Sequence, residues 1–302
     1  MVSDRVTHIG FSDESHWNQG RFRSIGLVTT SVDLYTSLEE KLRCLLNESR
    51  VKEFKWEKLT RDKERLAAIK MCEFAVENAC FSKLRVDVLI WDIQDSRHNV
   101  RGRDDIANLQ RMYYHLFRNV LRARWPDGAV WRLHPDEHAA LEWETIRDCL
   151  ESVSKSVEVD RSLFTSGQFH IRLRQEFHIE EIQPVPSEKY PLLQLADLFG
   201  GLAVFSHEKF KEYQKWVQDA SCQILLFDEA DASVNPSRAS QERFNVLKRF
   251  EELCNEKQLG VNFIKKQGLW TPDPEKPINF WIYEPQHPED KAPRKRGNLY
   301  DK

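Results

Sequence analysis

The stretch "PLLQLADLFGGLAVF", Pro191 to Phe205, constrains this chain more than any other. It is apolar on nearly every side of a helical wheel, so a helix there must be enclosed by the rest of the fold. Gly200 and Gly201 are poor helix formers, and their presence predicts a helix lying close on a sheet. The run carries one full charge, Asp197. A carboxylate among apolar neighbours is costly unless something holds it charged, which makes Asp197 the first candidate functional residue.

With 302 residues, 40% of them hydrophobic and 31% charged, the chain can build one large domain or a core domain with an appendage. Its net charge of -3 excludes a generally basic nucleic-acid coat, so phosphate binding must come from a local patch or from metal ions. The N-terminal "MVSDRVTHIG" lacks the basic-then-apolar profile of a signal peptide, and no apolar run approaches the ~18 residues of a membrane span. A soluble cytoplasmic protein without membrane contact is expected. The cysteines at 44, 72, 80, 149, 222 and 254 form no C-x-x-C pair and read as reduced thiols rather than a zinc ribbon or a disulfide frame.

Along the chain, "VTHIGFSDE" (6–14) and "RFRSIGLVTT" (21–30) read as strands, with Asn18 to Gly20 as the turn of a hairpin. Leu34, Leu38, Leu42 and Leu45 share a helical face, and Leu66, Ile69, Cys72 and Val76 mark a second helix after "EFKW". "LRVDVLIWDI" (84–93) is a strand, 104–125 an amphipathic helix, 129–134 a short strand and 137–153 a helix. The alternation of "QFHIRLRQEF" (168–177) predicts another strand, followed by the Pro191 helix. A polar connection (229–240), a helix near 241–257 and strand-like pieces in "GVNFIKKQGLW" and "INFWIYEP" come after it. This order predicts an α/β domain with mixed strand directions. The expected divisions are a core over 1–218 with a helical insertion at about 31–83, an extension over 219–285 packed on it, and a loose charged tail at 286–302.

Four acids share a type of position. Asp13 ends the first strand, Asp92 the third, Asp136 follows the fourth, and Asp197 rides the last core helix, with Glu14 and Glu137 beside two of them. Carboxylates converging at a sheet's rim need a cation to stay ionised together. Mg²⁺ or Mn²⁺, hard ions with oxygen ligands, meet that need, and two of them clamp the oxygens of a phosphodiester. Taken singly, each acid also has an ordinary structural role: Asp136 in a first helical turn, where the dipole favours it, or Asp92 paired with an arginine such as Arg97.

"IGFSDES", "EFKW", "RLHPDEH" and above all "PLLQLADLFGGLA" together resemble the prokaryotic domain of unknown function 3800 family, grouped with the ribonuclease-H-like superfamily. The resemblance spans roughly residues 6–210, and "INFWIYEP" is similar to the family's C-terminal end. It implies a five-stranded mixed sheet flanked by helices, with acids on the first strand, the fourth strand and the last helix around two metals. Those positions are Asp13, Asp136 and Asp197 here. For the acid on the helix after the third strand, Asp92 comes slightly early and Asp104 or Asp105 slightly late, with Glu14 a further candidate. The resemblance assigns Lys55 of "EFKW" to the scissile phosphate or the leaving charge. Ser15 is a candidate for orienting Asp13 or binding phosphate.

Other signals compete. Glu53 to Lys55 with Pro135-Asp136 resembles a restriction-type nuclease motif, but in reversed order and across a large gap. His134 and His138 stand four apart, but Pro135 separates them and no Glu-x-x-His context surrounds them, so a zinc pair is not expected. His138 is a candidate proton shuttle at the leaving oxygen. Arg172 and Arg174, with His170, line one strand face that could track a nucleic-acid backbone, and Trp17 in the hairpin loop could stack a base. Further basic clusters lie at 118–125 and 291–297. The expectation is a metal-dependent nuclease acting on RNA or DNA. The resemblance adds a role in defence against phage or mobile elements and a protein partner in a multi-component system. The alternative is a non-catalytic nucleic-acid- or protein-binding module of the same fold.

Overall fold

A computed structural model describes residues 5–95, 104–126, 128–153, 156–159, 171–174, 177–222 and 236–284. Strands β1 (His8–Ser15) and β2 (Phe22–Ser31) form the expected hairpin, and β2 pairs antiparallel with β3 (Leu84–Asp92). Between β2 and β3 the chain builds helices α1 (Val32–Glu48) and α2 (Asp62–Cys80), with a 3-10 turn at Trp56–Lys58 between them. After α3 (Asp105–Ala123), β4 (Val130–Pro135) returns parallel to β1. Then come α4 (Trp143–Val153), β5 (Ser156–Val159), β6 (Ile171–Arg174) and β7 (His178–Ile182), the last parallel to β4. Helices α5 (Pro191–Glu208), α6 (Phe210–Cys222) and α7 (Arg238–Glu256) precede β8 (Ile278–Ile282), which runs parallel to β3.

The sheet order is β7-β4-β1-β2-β3-β8. Six strands therefore replace the expected five, because "INFWI" of the C-terminal extension adds itself to the β3 edge. A second correction concerns 168–177. The alternating segment supplies β6, which pairs with β5 in a separate two-stranded sheet, while residues 168–170 and 175–176 lie outside the described residues. The main sheet takes "HIEEI" (β7) as its edge strand, a segment whose acids hide it from a hydrophobicity count. "GVNFIKKQGLW" forms turns with one bridge, Asn262 to Trp270, rather than a strand. The charged tail, 286–302, is outside the described residues.

Side chains alternating along the strands divide the interior in two. One face of the sheet carries Phe11, Val28, Val86, Val88 and Ile90 against α1, α2, α5 and α7. The other carries Ile25, Leu27, Leu89 and Trp91 against α3 and α4. Among the described residues no helix is long and apolar enough to cross a membrane.

Helix α5 is enclosed as its composition demands, with Leu192, Leu195, Leu198 and Leu202 all fully buried. It approaches the sheet so closely that a Cβ at Gly26 of β2 would collide with the Ala196 carbonyl. The two helix glycines divide the work. Gly200 faces Ser24 and Ser15 on the sheet, whereas Gly201 faces the Trp56 indole. The glycine that most needs to lack a side chain is thus in the strand. Because the obstacle is backbone rather than a movable side chain, Gly26→Ala should lower stability by about 3 kcal/mol. Urea unfolding followed by circular dichroism measures it, and Gly10→Ala, which meets only side-chain atoms, should cost less.

Candidate active site

Strand alternation turns Asp13 toward α5, where it is buried at 5% exposure. Its strand partner is Gly26, the residue on which α5 rests. Asp136 follows Pro135 at the end of β4, and its N–H donates to the Ser12 carbonyl at 2.8 Å, which docks it beside Asp13. Asp197 reaches the same place from α5. These acids are close enough for Asp197 and Asp136 to rank directly after burial as causes that raise the Asp13 pKa.

The segment "EFKW" is fastened to α5 by its backbone. The Phe54 N–H donates to Gln194 Oε1 at 2.8 Å, and the Trp56 N–H donates to Asp197 Oδ2 at 2.7 Å. Gln194 Nε2 in turn donates to the Ser187 carbonyl at 2.8 Å, so its amide is held at both ends. Arg243 of α7 lies over the Trp56 ring and donates to the Trp56 and Glu57 carbonyls. Between the two fastened amides, Lys55 projects at the acids, with Nζ 3.5 Å from Asp136 Oδ2 and 4.0 Å from Glu53 Oε1. The charge on Asp197 therefore has a local partner, a backbone amide in a segment some 140 residues earlier. The sequence offered no signal for the part played by Gln194.

Electrostatics follow from burial. It pushes the Asp13 carboxyl well above the ordinary range, reinforced by Asp197, Asp136 and Glu14 and opposed by Lys55. Asp197 is pushed up to about 6, again by burial first, against the pull of the Trp56 N–H and Lys55. For Lys55, burial works against the charged form, but Asp13, Asp136 and Asp197 outweigh it and its pKa stands above normal.

Glu14 points to the other face of the sheet. It accepts a 2.6 Å hydrogen bond from Tyr113 of α3 and lies 3.7 Å from His138 Nε2, while burial raises its pKa. Trp17 packs edge-on against His138, with ring centroids 4.8 Å apart. Ser15 is buried, with its hydroxyl 3.0 Å from His16 Nδ1. His134 turns away from His138, contacting the Gln183 carbonyl and stacking on Tyr190.

Each acid considered for completing the set is committed elsewhere. Asp92 is held bidentately by Arg21, with Nη2 at 2.7 Å and Nε at 3.0 Å, and accepts the Gln94 N–H. Its partner is thus Arg21; Arg97 lies outside the described residues. Asp104 caps α3 by accepting the Ala107 N–H, and Asp105 pairs with Arg23 at 2.7 Å. Arg172 and Arg174 fall in β6 of the separate two-stranded sheet, and their side chains are outside the described residues.

Among the described residues, no three His, Cys, Asp or Glu side chains close into a ready-made metal shell. The chemistry of the donors nevertheless suits a hard divalent cation. Asp13, Asp136 and Asp197 offer only oxygens, they crowd one another, and the positive charge of Lys55 opposes their repulsion.

No family model matches the chain. "Uncharacterized protein ORF2'" of Methanothermobacter thermautotrophicus is 40% identical over 292 residues, covering 94% of this chain and 96% of the relative. "Uncharacterized protein ORF2" of the same organism is 38% identical over 294 residues, with the same coverages. Among solved structures, a chain from the PCNA:RNase HII complex of Archaeoglobus fulgidus is similar at a TM-score of 0.38 and 14% identity, over 76% of this chain and 82% of that one. At that score the likeness decides neither fold nor activity.

Carboxyls with raised pKa values hold protons more tightly in the folded chain than in the unfolded one. Stability therefore falls as pH rises from their ordinary values near 4 through the folded value, about 6 for Asp197. In chelator, the protein should melt at a higher temperature at pH 5 than at pH 8. Asp13→Asn should raise the pH 8 melting temperature by a few degrees. Scanning calorimetry decides this, and a lower melting temperature for Asp13→Asn would show that the acids are not in conflict.

Proposed function

The chain belongs to the family of the Methanothermobacter thermautotrophicus ORF2 and ORF2' proteins, and we propose that it is a metal-dependent nuclease of ribonuclease-H-like fold. The observation that carries this reading is the convergence of Asp13, Asp136 and Asp197 on one another and on Lys55, from a strand, a strand end and a helix far apart in sequence. Such an arrangement is costly in the free protein, and two-metal phosphodiester chemistry is a use that makes sense of it. The hairpin, the parallel return of β4 beside β1 and the covering helix α5 support the fold assignment, and with it a place in the domain of unknown function 3800 family.

In this reading Asp13, Asp136 and Asp197 would hold Mg²⁺ or Mn²⁺, which would activate water and offset the negative charge of the phosphodiester. Lys55 leaves its ion pair with Asp136 to meet a phosphate oxygen, where a fixed positive charge counts most as negative charge develops. The amides of Phe54 and Trp56, tied to α5, keep that lysine from swinging away. On the opposite face Tyr113 fixes the Glu14 carboxylate, and Glu14 faces His138, which stands two residues from Asp136 and can carry a proton to solvent. The substrate is a nucleic-acid phosphodiester, RNA or DNA.

A second reading has its own support. The absence of a closed ligand shell among the described residues and the Lys55–Asp136 ion pair also suit a binding module in which lysine is the permanent counter-ion. The two readings separate on incubation with labelled RNA and DNA panels in Mg²⁺, Mn²⁺ or chelator. The nuclease reading expects metal-dependent products, reduced to the chelator level in Asp13→Asn and Asp136→Asn and about a hundredfold in Lys55→Gln. It also expects Mn²⁺ to raise the melting temperature of the native protein but not of Asp13→Asn. Cleavage persisting in both aspartate variants, or no response to metal at all, sinks the assignment.

A further inference from the structure

At the far end of the sheet from these acids lies a cavity of about 480 Å³. The β1-β2-β3 register puts Arg85 three residues along β3 from Val88, the residue level with Gly26 and Asp13. That corresponds to a separation of roughly 14 Å across and along the strands. The cavity is lined by Arg85, Arg124, Lys257 and Lys276, by the acid Glu275, and by Trp125 as an aromatic wall. Arg124 belongs to the basic cluster 118–125 noted in the sequence, which the proposed active site leaves unused.

Two of its lining residues, Arg85 and Arg124, belong to a buried polar cluster that is poorly satisfied among the described residues. The Arg124 side chain is 5% exposed, yet among the described residues its Nε and Nη1 have no hydrogen-bond acceptor, and a carboxylate oxygen of the buried Asp87 is 3.9 Å from Nε. Asp87 Oδ2 and Arg85 Nε, 3.5 Å apart, also lack hydrogen bonds, as do Asn279 Oδ1 and Trp281 Nε1 on the neighbouring strand. Buried polar atoms in folded proteins are almost always paired. Arg85 spends its Nη1 and Nη2 on the carbonyls of Pro274, Glu275 and Lys276 and on Asp87 Oδ1, whereas Arg124 lies beside Asp87 and over the Trp281 ring, 5.5 Å from its guanidinium carbon. Lys276 is engaged weakly, at 3.4 Å from the Gln258 carbonyl.

From this we infer that the cavity is a second ligand site, for a nucleoside phosphate. The positive charges of Arg85, Arg124, Lys257 and Lys276 around one cavity suit the oxygens of a phosphate. The volume far exceeds that of phosphate alone and lies in the range of small-molecule pockets, and Trp125 gives the attached base an aromatic surface. The phosphate is either that of a free nucleotide or the end of a strand, and both sources present the same group. A rival account needs only the fold: the ends of α2, α3 and α7 meet here, and cations are favoured at helix C-termini.

Calorimetric titration of the whole protein in chelator tests the inference, using adenosine 5'-monophosphate, inorganic phosphate, and oligonucleotides with 5'-phosphate or 5'-hydroxyl ends. The nucleotide should bind more tightly than inorganic phosphate. Its affinity should fall about tenfold in Arg124→Gln and at least threefold in Lys257→Gln/Lys276→Gln, and stay unchanged in Asp13→Asn. A 5'-phosphorylated strand that binds while its 5'-hydroxyl counterpart does not identifies a strand end; binding of the free nucleotide alone identifies a small-molecule ligand. The lysine pair is exposed enough to be replaced without loss of fold, so it decides the matter if Arg124→Gln misfolds. No nucleotide binding, or binding untouched by the lysine changes, overturns the inference and leaves the cations to the helix ends. Because metal is absent and Asp13→Asn serves as a control, that failure says nothing about the nuclease reading.

Discussion

The contact between α5 and the β1-β2 hairpin is the constraint on which the rest depends. Only because Gly26 has no side chain can the Ala196 carbonyl settle on the sheet, and only at that depth does Asp197 come level with Asp13. The same helix then fixes "EFKW" from above through Gln194 and Asp197. A structural contact and a proposed catalytic arrangement are thus one object. Loosening the helix by an ångström would cost packing and separate the carboxylates together.

This arrangement places repulsion where the fold can withstand it. The elements that carry the acids are anchored by fully buried residues, such as Phe11 of β1 and Leu195 and Phe199 of α5. Lys55 offsets part of the charge but comes from a short segment, held by two amides and the Arg243 clamp rather than by a helix of its own. Rigid carboxylates facing a less rigid cation suit a site that must exchange one positive partner for another.

Much of the layout was legible in the chain because it rests on local patterns. The hairpin follows from two β-rich runs around Asn18 to Gly20, and α5 from an apolar run too long for a strand. The edge strands were harder. β7 was missed because "HIEEI" alternates weakly and carries two acids, while the cleaner alternation just before it belongs to the small second sheet. The sixth strand could not be read as part of the sheet, since nothing in "INFWI" says which edge it will join. At the site, Asp13, Asp136 and Asp197 stood out as acids at element ends, but the fate of Asp92 depends on Arg21, across the β2-β3 pairing and 71 residues away. Gln194 carries no charge and no motif logic, so only the hydrogen bonds reveal its work.

The pairing of β8 with β3 has a consequence for how the molecule comes into being. Val86 and Ile278 are partners separated by most of the chain, and until the later one emerges from the ribosome the earlier strand has a bare flank. Exposed flanks of this kind invite pairing with other chains, and long-range closures of this kind are slow. The nascent protein therefore spends its most vulnerable interval with much of its interior made and one seam open, and the last strand among the described residues is the one that seals it.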